Sequence, residues 1–323
     1  MRQHPGELNM KPTLSRRSAL QLGLAGAAGS ATAAATRKTT KPTPSRRLDL
    51  TLPADNVTAY LKLRASVQTQ DVFMWFTGRL DIAVPGAAVK PIVNVESLIL
   101  RRTERVGDMA WNVIDWEAAL YRHPDTGAYL EEGAEIVNPH TGRMVRPLNY
   151  REGPVRFRFT DREPRIIGSR DVMPNTGKPF NYPWKVVAGD LWMTKSSYIK
   201  APHWLQPAEW PAESSGTEIV VATHSSLKAP LAQIEDLRVS STRSDFAYTA
   251  TSGWLPWMLM GQTPGVLVWA ESGKKLLSLD EAPPEQVAML RRVHPQWFVR
   301  PEPWPEFTNM YLQYKAARKP EKA

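Results

Sequence analysis

The chain has 323 residues, a formal net charge of +9 and no cysteine, so thiol chemistry, cysteine-ligated metals and a disulfide scaffold are all excluded. The charge is unevenly placed: residues 1–47 hold nine basic side chains against the single acid Glu7, which leaves about +1 for everything from Leu48 onward. A nearly neutral body lacks the basic face that a nucleic-acid partner needs, so no nucleic acid is expected.

The N-terminus reads Ser15-Arg16-Arg17-Ser18-Ala19-Leu20, followed by a mildly apolar stretch to Ala28 and small residues through Ala35. Paired arginines, a short Gly/Ala-rich core and a small-residue cleavage region predict a twin-arginine export signal over 1–35, with Arg16 and Arg17 as the recognition pair. Ala19 stands where a large apolar residue is usual, and cleavage falls after Ala33 or Ala35. The stretch is too short and too weakly apolar to span a bilayer, which takes about 20 apolar residues, so the mature protein is expected to have no transmembrane segment. The expected location is periplasmic or secreted, with the twin-arginine translocation machinery as a transient partner. Residues 36–47, rich in Lys, Arg, Thr and Pro, read as a basic flexible linker. The remaining residues, 48–318, form one expected β-rich domain, and 319–323 a disordered tail.

Within that domain, Pro53-Ala54-Asp55-Asn56 followed by Val57, Tyr60, Leu61 and Leu63 predicts a capped helix. Val72 to Phe76 is a buried-strand run ending at Gly78, and Val93–Leu100 and Trp111–Tyr121 have strand composition. Pro124-Asp125-Thr126-Gly127 and Asn138-Pro139-His140-Thr141-Gly142 are turns, with Gly accepting a positive φ in each. Further strands are expected over 155–159, 184–187, 191–199, 217–223 and 245–251. Helices are expected over 283–294 and 307–315. The class is mainly β: an antiparallel barrel-like or curled sheet, with a lipocalin-like arrangement possible, and peripheral helices near both ends.

Twelve tryptophans are an unusual load, and Trp suits either a large core or a pocket for a flat ligand. Trp75, Trp111, Trp116, Trp184 and Trp192 are the candidate pocket residues, with Arg156 as a candidate anion contact that could equally line the wet face of its sheet. The six histidines show no i, i+2 or i, i+4 pair, and there is no HExxH or acidic calcium loop, so no metal site is expected. Dinucleotide, phosphate-loop and nucleophile-elbow patterns are also missing, and no cofactor is expected. Acid/base chemistry by carboxylates and histidines remains, with Glu96, His140 and His224 as candidate catalytic residues. Asp115 and Glu117, which flank Trp116, read as the polar, solvent-facing side of their strand.

The order of several segments resembles a known family. Trp75-Phe76-Thr77-Gly78, Tyr121 through Gly127, Asn138 through Gly142, Trp254 to Met260 with Gly261 and Pro264-Gly265, then Pro283-Pro284 and Pro301 to Pro305 follow one another as in domain of unknown function 1838. The resemblance covers about residues 48–315 and implies a single β-rich domain, with twin-arginine signals common among bacterial members. It implies no catalytic residues. Two functions follow as expectations: an exported protein binding a small, largely apolar or aromatic molecule in an aromatic-lined pocket, or a metal-independent isomerase, cyclase or hydrolase acting on such a molecule.

Overall fold

A computed structural model describes residues 47–162, 164–167, 177–299 and 304–321; the expected export signal lies outside these. Its frame is a ten-stranded antiparallel sheet. The strands are β1 (Gln70–Ala83), β2 (Lys90–Gly107), β3 (Ala110–Arg122), β6 (Tyr150–Phe159), β7 (Arg165–Ile166), β8 (Lys185–Val187), β9 (Asp190–Pro202), β10 (Glu218–Pro230), β11 (Asp245–Ser252) and β12 (Val266–Leu276). A separate small hairpin pairs β4 (Ile136–Val137) with β5 (Met144–Val145). Among the described residues, four α-helices accompany them: α1 (Pro53–Arg64), α2 (Leu231–Glu235), α3 (Pro284–Val293) and α4 (Met310–Ala317).

Strand order is β7-β6-β3-β2-β1-β12-β11-β10-β9-β8, so β1 closes against β12 at the centre while β7 and β8 remain edges. The sheet is therefore not closed into a barrel. It is nevertheless bent, because the Tyr60 ring on α1 lies 5.5 Å from Phe159 on β6 and also lines a pocket with Lys195 on β9. Those strands are seven steps apart, about 34 Å along a flat sheet. One helical side chain reaches both only if the sheet curls around α1.

Side-chain alternation gives the curled sheet two faces. The inner face packs on α1 through Met74, Phe76, Val93, Val95, Trp111, Val113, Phe157 and Leu227. On the outer face, Leu98, Trp116, Ala118, Leu120 and Leu276 meet Met289 and Leu290 of α3. Two inner-face glycines let β1 and β12 approach: a Cβ on Gly78 would fall 2.1 Å from the Ala270 carbonyl, and one on Gly273 would fall 2.0 Å from that of Trp75.

The helices form for local reasons. Pro53 pre-sets the first turn of α1, Asp55 occupies that turn, and Lys62 and Arg64 sit in the last, each favoured by the helix dipole. Asp55 does not cap the helix but accepts a hydrogen bond from Asp49 N at 2.8 Å. In α4, Asn309 caps Leu312 N at 2.9 Å, which starts the helix three residues later than the apolar pattern suggests. The turn at Asn138 behaves as read: its Oδ1 accepts from His140 N and Thr141 N, and Gly142 takes φ +72°. Sequence reasoning passed over β12 and α2 and cut most strands short. No described helix is long and apolar enough to cross a membrane.

Candidate functional site

The inner face is not uniformly apolar. Along β2 its positions are Val93, Val95, Ser97, Ile99, Arg101 and Thr103; along β3 they are Trp111, Val113, Asp115, Glu117, Ala119 and Tyr121. Arg101 and Asp115 are register partners with no exposure, so Asp115 and Glu117 are buried rather than solvent-facing. The expectation failed because the strand's polar and apolar residues share a face: Trp111 and Val113 point the same way as Asp115. Arg101 Nη2 donates to Asp115 Oδ2, and Nε faces Oδ1. Burial pushes the Asp115 carboxyl up to about 6, against the opposite pull of Arg101 and Arg64.

Three further cations converge at the C-terminal end of α1. Lys275 of β12, fully buried, donates to the carbonyls of Lys62 at 2.7 Å and Leu63 at 3.1 Å, satisfying helix-end acceptors. Lys62 in turn donates to Ile234 O and Asp236 O, both at 2.8 Å. Arg64, with no exposure, donates through Nη1 to the Tyr60 hydroxyl, while its Nε and Nη2 meet no acceptor. Burial, then the neighbouring Arg101, draws the Arg64 guanidinium down to about 10.

Beside Tyr60 lies a pocket of about 560 Å³, lined among the described residues by Tyr60, Phe180, Tyr182 and Lys195 together with Pro164, Lys178, Pro179 and Asn181. Tyr60 meets Phe180 edge-on at 5.1 Å and Tyr182 at 5.8 Å; Tyr182 meets Trp184 at 4.9 Å. Asn56 fixes this wall from the helix. Its Oδ1 accepts from Tyr182 N and Trp184 Nε1, each at 3.0 Å, and its Nδ2 donates to Leu50 O at 2.8 Å and Tyr182 O at 3.2 Å.

Lys195 enters from β9, where Leu191, Met193, Lys195 and Ser197 share the inner face. Across from it on β10 stands Ser225, and Ser197 and Thr223 hydroxyls pair at 2.6 Å beside it. Burial, then Arg64, pushes the Lys195 amine down to about 7.

The residues singled out from sequence are spread over both faces. None of them lines this pocket; Trp184 comes nearest, packing on its wall through Tyr182 at 4.9 Å. Trp111 is on the inner face but spends its Nε1 on Val67 O at 3.0 Å. Trp75 and Trp116 face outward into the α3 layer, and Trp192 faces outward under Lys228. Arg156, paired with Ile114, is also on the outer face. Glu96 is an outer-face residue held by Tyr129 Oη at 2.5 Å and Arg122 Nη2 at 3.3 Å, and Arg122 also binds Glu285 at 3.0 Å. His140 is exposed in the β4–β5 turn; His224 is exposed on the outer face of β10, 3.0 Å from Ser196 Oγ. Glu96 and His224 stand four strands apart, and His140 belongs to the separate hairpin, so the three do not converge.

Tyr60, Arg64, Tyr182 and Lys195 were missed, although a signal was present. Lys195 interrupts the alternating run Leu191, Met193, Ser197, Ile199, which marks it as an inward cation. The described residues contain no cluster of three or more metal-ligating acids and histidines.

No curated protein matches this chain. Among solved structures, it aligns with a conserved protein of unknown function with a hot dog fold from Alicyclobacillus acidocaldarius, at 9% identity over 67% of this chain and 80% of that one. The TM-score is 0.10, too low to carry an argument. The profile of one family, described as "Protein of unknown function (DUF1838)", matches residues 69–315, about three quarters of the chain, and the chain belongs to that family.

Proposed function

We propose that this chain is an exported binding protein that holds a small ring-bearing molecule with an acidic group in the pocket between α1 and β9. The observation that carries this reading is the convergence of three aromatic rings, Tyr60, Phe180 and Tyr182, on a lysine, with no acid among the described lining residues. The volume falls within the range of small-molecule sites, and the rings supply flat apolar walls. Positive charge at the back favours a carboxylate or similar group: Lys195 lines the cavity, and Arg64 stands behind Tyr60 with two nitrogens unpaired. The apolar or aromatic ligand expected from the tryptophan load is kept, but its contacts are tyrosines and Phe180 rather than the outward tryptophans. Export rests on the Arg16-Arg17 pattern, with periplasmic or secreted residence and passage through the twin-arginine machinery.

The test is native mass spectrometry of the protein taken folded from its own envelope fraction, followed by denaturation, with calorimetric titration of benzoate alongside. Release of a ring-bearing acid, or saturable benzoate binding weakened at least tenfold in Lys195→Met, supports the reading. An empty protein that benzoate does not saturate overturns it.

A further inference from the structure

We propose that Lys195 is a nucleophilic amine that captures an aldehyde or ketone, carried on a ring-bearing acid, as an imine within this pocket. The inference rests on the binding reading above and adds the class of the molecule bound.

Lys195 of β9 and Lys275 of β12 point into the inner face, Lys62 of α1 reaches toward α2, and the three differ in what holds them. Lys62 and Lys275 each donate to two backbone carbonyls, so their ammonium groups are structural cross-links. Lys195 is partly buried and lines the cavity, yet among the described residues it meets neither a carboxylate nor a carbonyl. The groups facing it are Tyr60 and Arg64 from α1, Tyr182 and Lys178 from the pocket wall, and the hydroxyls of Ser197, Thr223 and Ser225 from β9 and β10. None of these is an acid. A lysine kept for charge pairing would have a partner, and a solvated one would extend away from the rings. Desolvation with a cation nearby is the setting in which a lysine becomes a nucleophile at neutral pH. The amine is accordingly drawn down to about 7, by burial first and Arg64 second.

The step balances without an oxidant or a cofactor. The Nζ lone pair adds to the carbonyl carbon, and the carbonyl oxygen takes up a proton as nitrogen loses one. The resulting carbinolamine expels that oxygen as water when nitrogen gives up its second proton, which leaves a C=N bond. One amine and one carbonyl give one imine and one water.

The test treats the full chain with 4-carboxybenzaldehyde and sodium cyanoborohydride and maps labelled peptides. Lys200 on the same strand, held by Glu218 at 2.7 Å, is the internal reference. An amine near 7 is about half neutral at pH 7, whereas an ordinary lysine is neutral in only about one molecule in 2,500. Lys195 should therefore label at least tenfold faster than Lys200, with a rate that rises through about pH 7 and levels off. Lys195→Arg, which keeps the charge, should abolish the fast label, and excess benzoate should slow it. Label spread over the lysines by exposure, with benzoate still bound, overturns capture and leaves binding intact. Fast labelling of Lys195 that saturating benzoate does not slow overturns the pocket reading on which capture rests.

Discussion

Removing Arg101 should cost more stability than removing Arg101 and Asp115 together. Both side chains are essentially unexposed and face one another across β2 and β3, at the base of the layer that carries Arg64 and Tyr60. In Arg101→Met the Asp115 carboxyl keeps its burial and loses its main partner; in Asp115→Leu the guanidinium is left in the same position. Breaking a buried pair from one side costs about 3–5 kcal/mol. That is a large share of the roughly 5–15 kcal/mol that holds a typical domain folded. The double replacement Arg101→Met/Asp115→Leu removes both desolvated charges and fills the space with apolar atoms, an exchange that is often neutral or stabilising. The double variant should therefore recover at least about 3 kcal/mol relative to either single one. Urea unfolding followed by Trp fluorescence measures all four proteins under one set of conditions. Single variants within about 1 kcal/mol of the parent, or a double variant whose loss is the sum of the two, would refute the reasoning.

Asn56→Ala should lose about 2–4 kcal/mol, since it strands Tyr182 N and Trp184 Nε1. It should also weaken benzoate binding by loosening the pocket wall, whereas intact affinity in a destabilised variant would separate the wall from the site. Gly273→Ala places a Cβ against the Trp75 carbonyl and should cost roughly 2 kcal/mol or more in the same unfolding assay, and a neutral result would show that β1 and β12 can part there. For Lys195 the folded amine titrates below its unfolded value, so protonation favours the unfolded chain and stability rises with pH between about 7 and 10. Lys195→Met should accordingly be more stable than the parent below about pH 7, with the advantage fading toward pH 10; an advantage independent of pH would mean the amine is not desolvated. Replacing Arg16 and Arg17 with lysines should leave the protein in the cytoplasmic fraction, and undiminished export would dismiss the twin-arginine signal.

How much of this was legible in the sequence depends on which physical rule was applied. Most strands were visible from clustered β-branched and aromatic residues, and the two Gly-ended turns were visible from turn chemistry alone. β12 was passed over because Val266–Leu276 carries Glu271, Gly273, Lys274 and Lys275 in its second half, a polar composition that suits a central strand only in a sheet with a charged interior. The same interior explains the misplacement of Asp115 and Glu117. Reading polarity alone sends them to solvent, whereas period-two alternation from Trp111 and Val113 sends them inward with Arg101. The proposed site was harder to see, since Tyr60, Tyr182 and Lys195 come from a helix, a loop and a distant strand. Only the curl of the sheet, which no local pattern encodes, brings them together.

The charged interior also explains why these cations can be kept. A helix C-terminus presents unpaired carbonyls and a partial negative charge, and α1 ends where the sheet curls over it. Lys275 reaches those carbonyls from β12, Lys62 reaches the carbonyls around α2, and Arg101 has Asp115, so each of the three has an acceptor fixed by the fold. Two cations differ. Arg64 uses one nitrogen on Tyr60 and leaves two unmatched, and Lys195 meets no acceptor among the described residues. A structural role accounts for cations whose partners the backbone supplies. The two it does not account for are the pair that interact through space at the one cavity walled by Tyr60, Phe180 and Tyr182, which is why function is sought there and not at the outward-facing Glu96 or His224.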